Sequence, residues 1–198
     1  MIRWKQPRDI KGIVKLVRTQ LVPKSPWQHP RDGRLHSEIV DRLRKGATLV
    51  ASRSRSEEPF GFLHLIVQDK VLFIDLLAVD PTHQNRRWGT ELMSRAEEYG
   101  RKKGCIKSIL YVDKDNAKAQ RFYSKLGYSN AQYVEALVCY RMEKKLDIDP
   151  GWIWHFAIGN EENQLQETRG NRSFRESHKS GYGNGPSAAG DDWLYRPL

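Results

Sequence analysis

The chain has 198 residues, 38% of them hydrophobic, and carries a formal charge of +10. That length allows one domain with a real core, and no apolar run approaches the roughly eighteen residues of a membrane-spanning helix, so such a span is excluded. The charge is uneven: residues 1–149 hold 29 Lys and Arg against 18 Asp and Glu, residues 150–198 hold 5 against 6, and a basic body of this kind attracts anionic ligands.

The predicted elements begin with a short strand at residues 2–5. Pro7 and Asp9 then open a helix carrying Ile10, Ile13, Val14, Leu16 and Val17, with Asp9 as its N-cap. Residues 22–33 contain three prolines, Trp27 and His29 and read as a loop, either an ordinary surface connection or a lid over a substrate. A second amphipathic helix covers 35–45 and stops at Gly46. Residues 47–52 and 60–68 read as strands around a charged turn. A tight turn at Asp69-Lys70 leads into the apolar run 71–79, which a single carboxylate, Asp75, interrupts. If that turn pairs residues whose numbers sum to 139, His64 lies directly opposite Asp75; a one-residue slip would destroy the pairing.

Asp80-Pro81 ends this strand, because proline cannot donate to a ladder. A basic loop follows, Thr82-His83-Gln84-Asn85-Arg86-Arg87-Trp88-Gly89-Thr90, and then a helix with Leu92, Met93, Ala96 and Tyr99 at helical spacing. A strand feeding a basic loop at a helix start is one way to build an anion site, since the first-turn N–H groups lack internal partners and the helix dipole favours negative charge; a phosphate-bearing cofactor is expected at this loop. Another strand is predicted at 106–112, a helix from Ala117 to Leu126 ending at Gly127, and strands at 128–134 and 137–142. This order describes a mixed α/β (α+β) fold. Composition shifts from Asp147 onward. Residues 148–198 read as a largely flexible tail, apart from an aromatic island at 152–158 expected to dock on the body or on a second subunit, which leaves a homodimer open.

Two segments carry a specific resemblance. Gln84-Asn85-Arg86-Arg87-Trp88-Gly89-Thr90, following Asp80-Pro81, resembles the acyl-CoA-binding motif of the GNAT family of N-acetyltransferases, (Arg/Gln)-x-x-Gly-x-(Gly/Ala). Asn116-Ala117-Lys118-Ala119-Gln120-Arg121-Phe122-Tyr123, running on to Gly127-Tyr128, is similar to that family's second signature. The order of elements over 1–147 resembles the family as well, which implies a mostly antiparallel central sheet of about seven strands flanked by about four helices. One departure stands out. Arg87 occupies the position of the family's first loop glycine, where a missing Cβ lets backbone approach a pyrophosphate.

The resemblance implies acetyl-CoA as co-substrate, with Gln84, Asn85, Arg86, Arg87, Trp88, Gly89 and Thr90 around the pyrophosphate. It also implies that Leu77, Ala78 and Val79 lie along the pantetheine arm, with Asn116 and Phe122 near the cofactor. For Arg86 and Arg87 the alternative is a solvated basic turn. Tyr123 matches the family's general acid, or else is a core aromatic. Asp75 is the candidate base, with His64 as its partner; the alternative is a carboxylate at the sheet margin that binds substrate or a neighbouring side chain. Cys105 and Cys139 are far apart and read as buried thiols of a cytoplasmic protein; no metal site is expected. The N-terminus lacks the apolar core of a secretory signal.

The function expected is acetyl transfer to a primary amine by direct attack in a ternary complex. The acceptor is either an amine-bearing small molecule or a protein or peptide; no membrane partner is expected, and nucleic acid is disfavoured. The alternative is a basic module associated with ribosomes or nucleic acid that retains this fold with little turnover.

Overall fold

The computed structural model describes residues 1–24 and 32–147. Among these residues seven strands form one sheet in the order β1-β2-β3-β4-β5-β7-β6. They are β1 (Ile2–Trp4), β2 (Ala47–Ala51), β3 (Gly61–Gln68), β4 (Val71–Val79), β5 (Lys107–Asp113), β6 (Ser129–Val134) and β7 (Cys139–Lys145). Four α-helices accompany them: α1 (Ile10–Leu16), α2 (Asp32–Leu43), α3 (Trp88–Lys102) and α4 (Ala117–Lys125). Only β4 and β5 run parallel, because α3 crosses between them; every other neighbouring pair is antiparallel. The expected fold class is the one observed. The tail 148–198, its island at 152–158, and Trp27 and His29 lie outside the described residues.

The helices cover opposite faces, and the strand residues alternate accordingly. Ile13, Val14, Leu16 and Val17 of the first helical stretch join Leu35, Ile39 and Leu43 of α2 in one buried layer, against Val50, Phe62, Leu76 and Ala78. The other layer packs Leu92, Met93 and Ala96 of α3 on Leu49, Leu63, Leu65, Leu72, Ile74, Leu110 and Met142. Gly100 brings α3 close to the sheet: a Cβ there would lie 2.9 Å from Leu72 Cδ2.

Two expectations near the start need correction. Asp9 does not cap α1 with its side chain. Its carboxylate turns back to accept the Gln6 N–H at 2.7 Å and both terminal nitrogens of Arg3 at 2.6 and 2.9 Å, a stronger set of charge-assisted bonds than a cap supplies. The helical winding also outlasts the predicted boundary, continuing through a wide π turn (Val17–Leu21) and a 3-10 turn (Val22–Lys24). Buried Val17 holds that continuation against the sheet.

The pairing of β3 with β4 slips once. Leu65 to Gln68 pair with Ile74 to Val71 as predicted, but Gly61 to His64 pair with Val79 to Leu76. His64 therefore faces Leu76, not Asp75, and Asp75 is the extra residue of a β-bulge. The bulge changes which residues face which layer. Before it, Leu72 and Ile74 point toward α3; after it, Leu76 and Ala78 point toward α1 and α2, while Leu77 and Val79 pack on the α3 side.

Candidate active site

Past the bulge, β4 and β5 separate. Their parallel ladder ends at the pair Ile74–Leu110, although β4 continues to Val79 and β5 to Asp113. Asp80 N–H donates to Phe60 O at 2.7 Å, so by antiparallel alternation the backbone polar groups of Ala78 and Leu76 also face β3. Those of Leu77 and Val79 then face the open seam. A strand edge without a partner strand is a template for an extended amide-bearing chain.

The basic loop sits at the end of this seam. Asp80 fixes its start: the carboxylate accepts from Thr82 N at 2.9 Å and Thr82 Oγ1 at 2.5 Å, and the Thr82 bonds hold its pKa below the usual carboxylate range. His83 stacks on Phe60 at 4.1 Å, and Trp88 meets the same ring edge-on at 5.1 Å. These contacts pin the loop to β3 from both sides. Asn85 and Arg87 adopt left-handed backbone, φ 59° and 63°, and Arg87 is the N-cap of α3. The first helical closure there is Glu91 N to Arg87 O, 2.9 Å, which leaves the N–H groups of Trp88, Gly89 and Thr90 without helical partners. Arg86, Arg87 and Thr90 are exposed beside them.

α4 lies along this loop. Phe122 comes so close to Gly89 that a Cβ on the glycine would sit 3.2 Å from Phe122 Cζ. One turn earlier, Lys118 Nζ donates to Gln84 Oε1 at 3.0 Å. Asn116 caps α4 by accepting the Ala119 N–H at 3.1 Å. Tyr123 is partly buried and edge-on to Phe122 and to Tyr128, at 5.1 and 6.0 Å. Burial pushes its phenol pKa up, and its hydroxyl makes no hydrogen bond among the described residues. Tyr128, by contrast, donates to Ser108 Oγ at 2.7 Å and belongs to the core.

The bulge carries a second polar group, facing α2. Arg42 engages Asp75 through two bonds, Nε to Oδ2 at 2.8 Å and a terminal nitrogen to Oδ1 at 2.5 Å. His64 is fully buried; its Nδ1 lies 3.0 Å from Thr48 Oγ1, and its Nε2 is 3.8 Å from Asp75 Oδ2, too far for a hydrogen bond. Desolvation lowers the His64 pKa, against a smaller upward pull from Asp75; Arg42 opposes that pull, and the backbone at Ala47 and Arg42 supports it. His64 and Asp75 are thus neighbours despite the register slip, but only Asp75 retains partial exposure.

Arg42 and Lys118 were not among the sequence-derived candidates, though each had a signal. Arg42 follows Leu35 by seven residues and Ile39 by three, which places it on the buried stripe of α2. Lys118 precedes Phe122 by four, on the stripe of α4 that meets the loop.

A strand that leaves its parallel neighbour, with unpartnered helix-start N–H groups at the opening, is an arrangement that agrees with the resemblance carried by the two sequence motifs. The sequence matches the model of the acetyltransferase (GNAT) family over residues 13–128, and the chain belongs to that family. An uncharacterized N-acetyltransferase of Methanocaldococcus jannaschii is 33% identical over 81 residues, which cover 41% of this chain and 35% of that protein's length. The chain thus aligns with about a third of this relative. Among solved structures, Ard1 from Thermoplasma volcanium superposes with a TM-score of 0.62 at 22% identity, covering 74% of this chain and 97% of that one. PaiA N-acetyltransferase from Thermoplasma acidophilum, solved in complex with coenzyme A, gives 0.60 at 21% identity, with coverage of 73% and 98%. Both likenesses concern the fold. No group of metal-binding side chains occurs among the described residues, and no helix among them is long and apolar enough to cross a membrane.

Proposed function

We propose that this protein transfers an acetyl group from acetyl-CoA to a primary amine, by direct attack within a ternary complex. The observation that carries the reading is the open seam past Ile74 and Leu110, with the free N–H groups of Trp88, Gly89 and Thr90 at its end. An extended pantetheine arm suits the first and a pyrophosphate the second. Phe122 against Gly89 and the exposed Arg86 and Arg87 suit an anionic nucleotide as well.

In this reading the amine nitrogen attacks the thioester carbonyl carbon, the C–S bond breaks, and the leaving thiolate takes a proton from the Tyr123 hydroxyl. The elevated phenol pKa keeps that hydroxyl protonated throughout the neutral range. Apolar surroundings also raise the basicity of a thiolate beside it, so donor and acceptor stay matched. Asp75 takes the ammonium proton through water. Arg42 occupies one position on each carboxylate oxygen, and a carboxylate has about four lone-pair sites. His64, fully buried, acts on Asp75 by position and does not touch the acceptor.

Calorimetric titration with acetyl-CoA tests the assignment: saturable binding is expected, and none up to millimolar concentration removes it in favour of a fold kept for a basic binding role. With binding established, Tyr123→Phe should lower kcat while cofactor KM stays close to wild type; unchanged turnover takes Tyr123 out of the chemistry. Asp75→Asn should lower kcat/KM for the amine while coenzyme A affinity stays close to wild type; unchanged turnover takes Asp75 out of the proton transfer. A panel of peptide N-termini, lysyl peptides and small amines identifies the acceptor class.

A further inference from the structure

Gln84 is tied up in a way that its place in the anion loop does not require. Its side-chain Nε2 donates to Val79 O at 2.8 Å, and its Oε1 accepts from Lys118 Nζ at 3.0 Å. Val79 O is one of the backbone groups directed away from β3 and into the seam. The end of the strand edge is therefore already satisfied by this chain's own side chain. Lys118 meanwhile spends its charge on a neutral amide oxygen, with no carboxylate partner among the described residues. It stands on the same stripe of α4 as Phe122, along the loop that ends in the free N–H groups of α3.

We propose that Lys118, Gln84 and Val79 form a latch that couples recognition of the cofactor's phosphate to seating of its amide-bearing arm, a role that rests on the acyl-CoA reading. Lys118 holds Gln84, and Gln84 covers Val79 O. A phosphate oxygen at the α3 start is a stronger acceptor for an ammonium than an amide oxygen, since the bond is then charge-assisted from both sides. Lys118 moves to the phosphate, Gln84 loses its orienting partner, and Val79 O becomes free to accept an amide N–H from the arm. A thioester without the phosphates gains no such release. Lys118 and Gln84 thereby set specificity for the nucleotide-bearing donor.

The test is the coenzyme A dissociation constant, measured by calorimetry on the full chain and on Lys118→Met and Gln84→Ala. Lys118→Met loses the phosphate contact together with its hold on Gln84, and because the charge-assisted phosphate bond is the stronger of the two, this variant should bind about threefold more weakly. Gln84→Ala removes the competitor for Val79 O. Affinity is reduced by the fraction of molecules held closed, so this variant should bind about fivefold more tightly than wild type. A glutamine that merely orders the loop, or contacts the pyrophosphate itself, predicts the opposite sign. The latch is overturned if Gln84→Ala binds no better than wild type, or if Lys118→Met binds equally well. Wild-type protein that fails to bind coenzyme A overturns the functional reading beneath it, and that result is distinguishable from either variant outcome.

Discussion

Arg87 departs from the family's motif in identity, yet its backbone takes a conformation that suits glycine best. Its φ of 63° is the left-handed conformation that glycine adopts freely and that a Cβ penalises. Arg87→Gly should therefore raise stability by about 0.5–1 kcal/mol, read as a higher urea midpoint with unchanged slope. The residue retained is a cation at the N-terminus of α3, so the same variant should bind coenzyme A more weakly at low salt. Cys139 offers a second test at this scale. Burial, with a smaller effect from Asp113, pushes its thiol up to about 11 from an ordinary 9.0. The folded chain then keeps the proton where the unfolded chain loses it. Stability contributed by the thiol is complete below about pH 9 and drains away as pH rises toward 11. In Cys139→Ala the decline in urea-unfolding free energy across that window should be shallower.

Among the elements, β4 does most to place the site. Its bulge turns Asp75 toward α2, where Arg42 holds both carboxylate oxygens. This ion pair is largely buried, with side-chain exposures of 21% and 8%, so removing one member leaves the other poorly solvated. Asp75→Ala should cost about 3 kcal/mol in urea unfolding. If Arg42→Met costs far less, the carboxylate does not depend on that arginine. The sequence made β4 and its neighbours legible through turn residues and proline, and the loop and α4 through two spaced motifs. It concealed the bulge, because the apolar run from Leu72 to Val79 holds no polar–apolar alternation from which a register can be read. Arg42 and Lys118 stayed hidden for a related reason: a cation on a helix looks solvated until its stripe is compared with the buried one. Asn116 was legible in place, but the motif could not distinguish its capping role from a ligand contact.

At the scale of the molecule, the proposed cofactor is an anion, and the +10 charge and the exposed arginines of the loop would both attract it. Coenzyme A affinity should fall steadily between about 0.05 and 0.5 M salt, where the screening length shrinks from above 10 Å to a few ångströms. Salt-insensitive binding would mean that the arginines do not face the ligand. Acid should weaken the fold through His64: burial lowers its pKa, so the unfolded chain takes up the proton first. The contribution is present above the ordinary histidine value of about 6.5 and is lost as pH falls below it. The bulge at Asp75 also has a bearing on how this chain tolerates length change. Strand β4 is read in two frames, one up to Ile74 and another from Leu76, and a single residue separates them. Deleting Asp75 would join the two frames without turning either one over, because Ile74 and Leu76 already pair with the consecutive residues Leu65 and His64; Leu77 and Val79 would stay on the α3 side. The bulge is thus the one place in β4 where the chain can lose a residue without exchanging inside for outside, whereas the loss of a paired residue such as Leu77 would turn over everything after it.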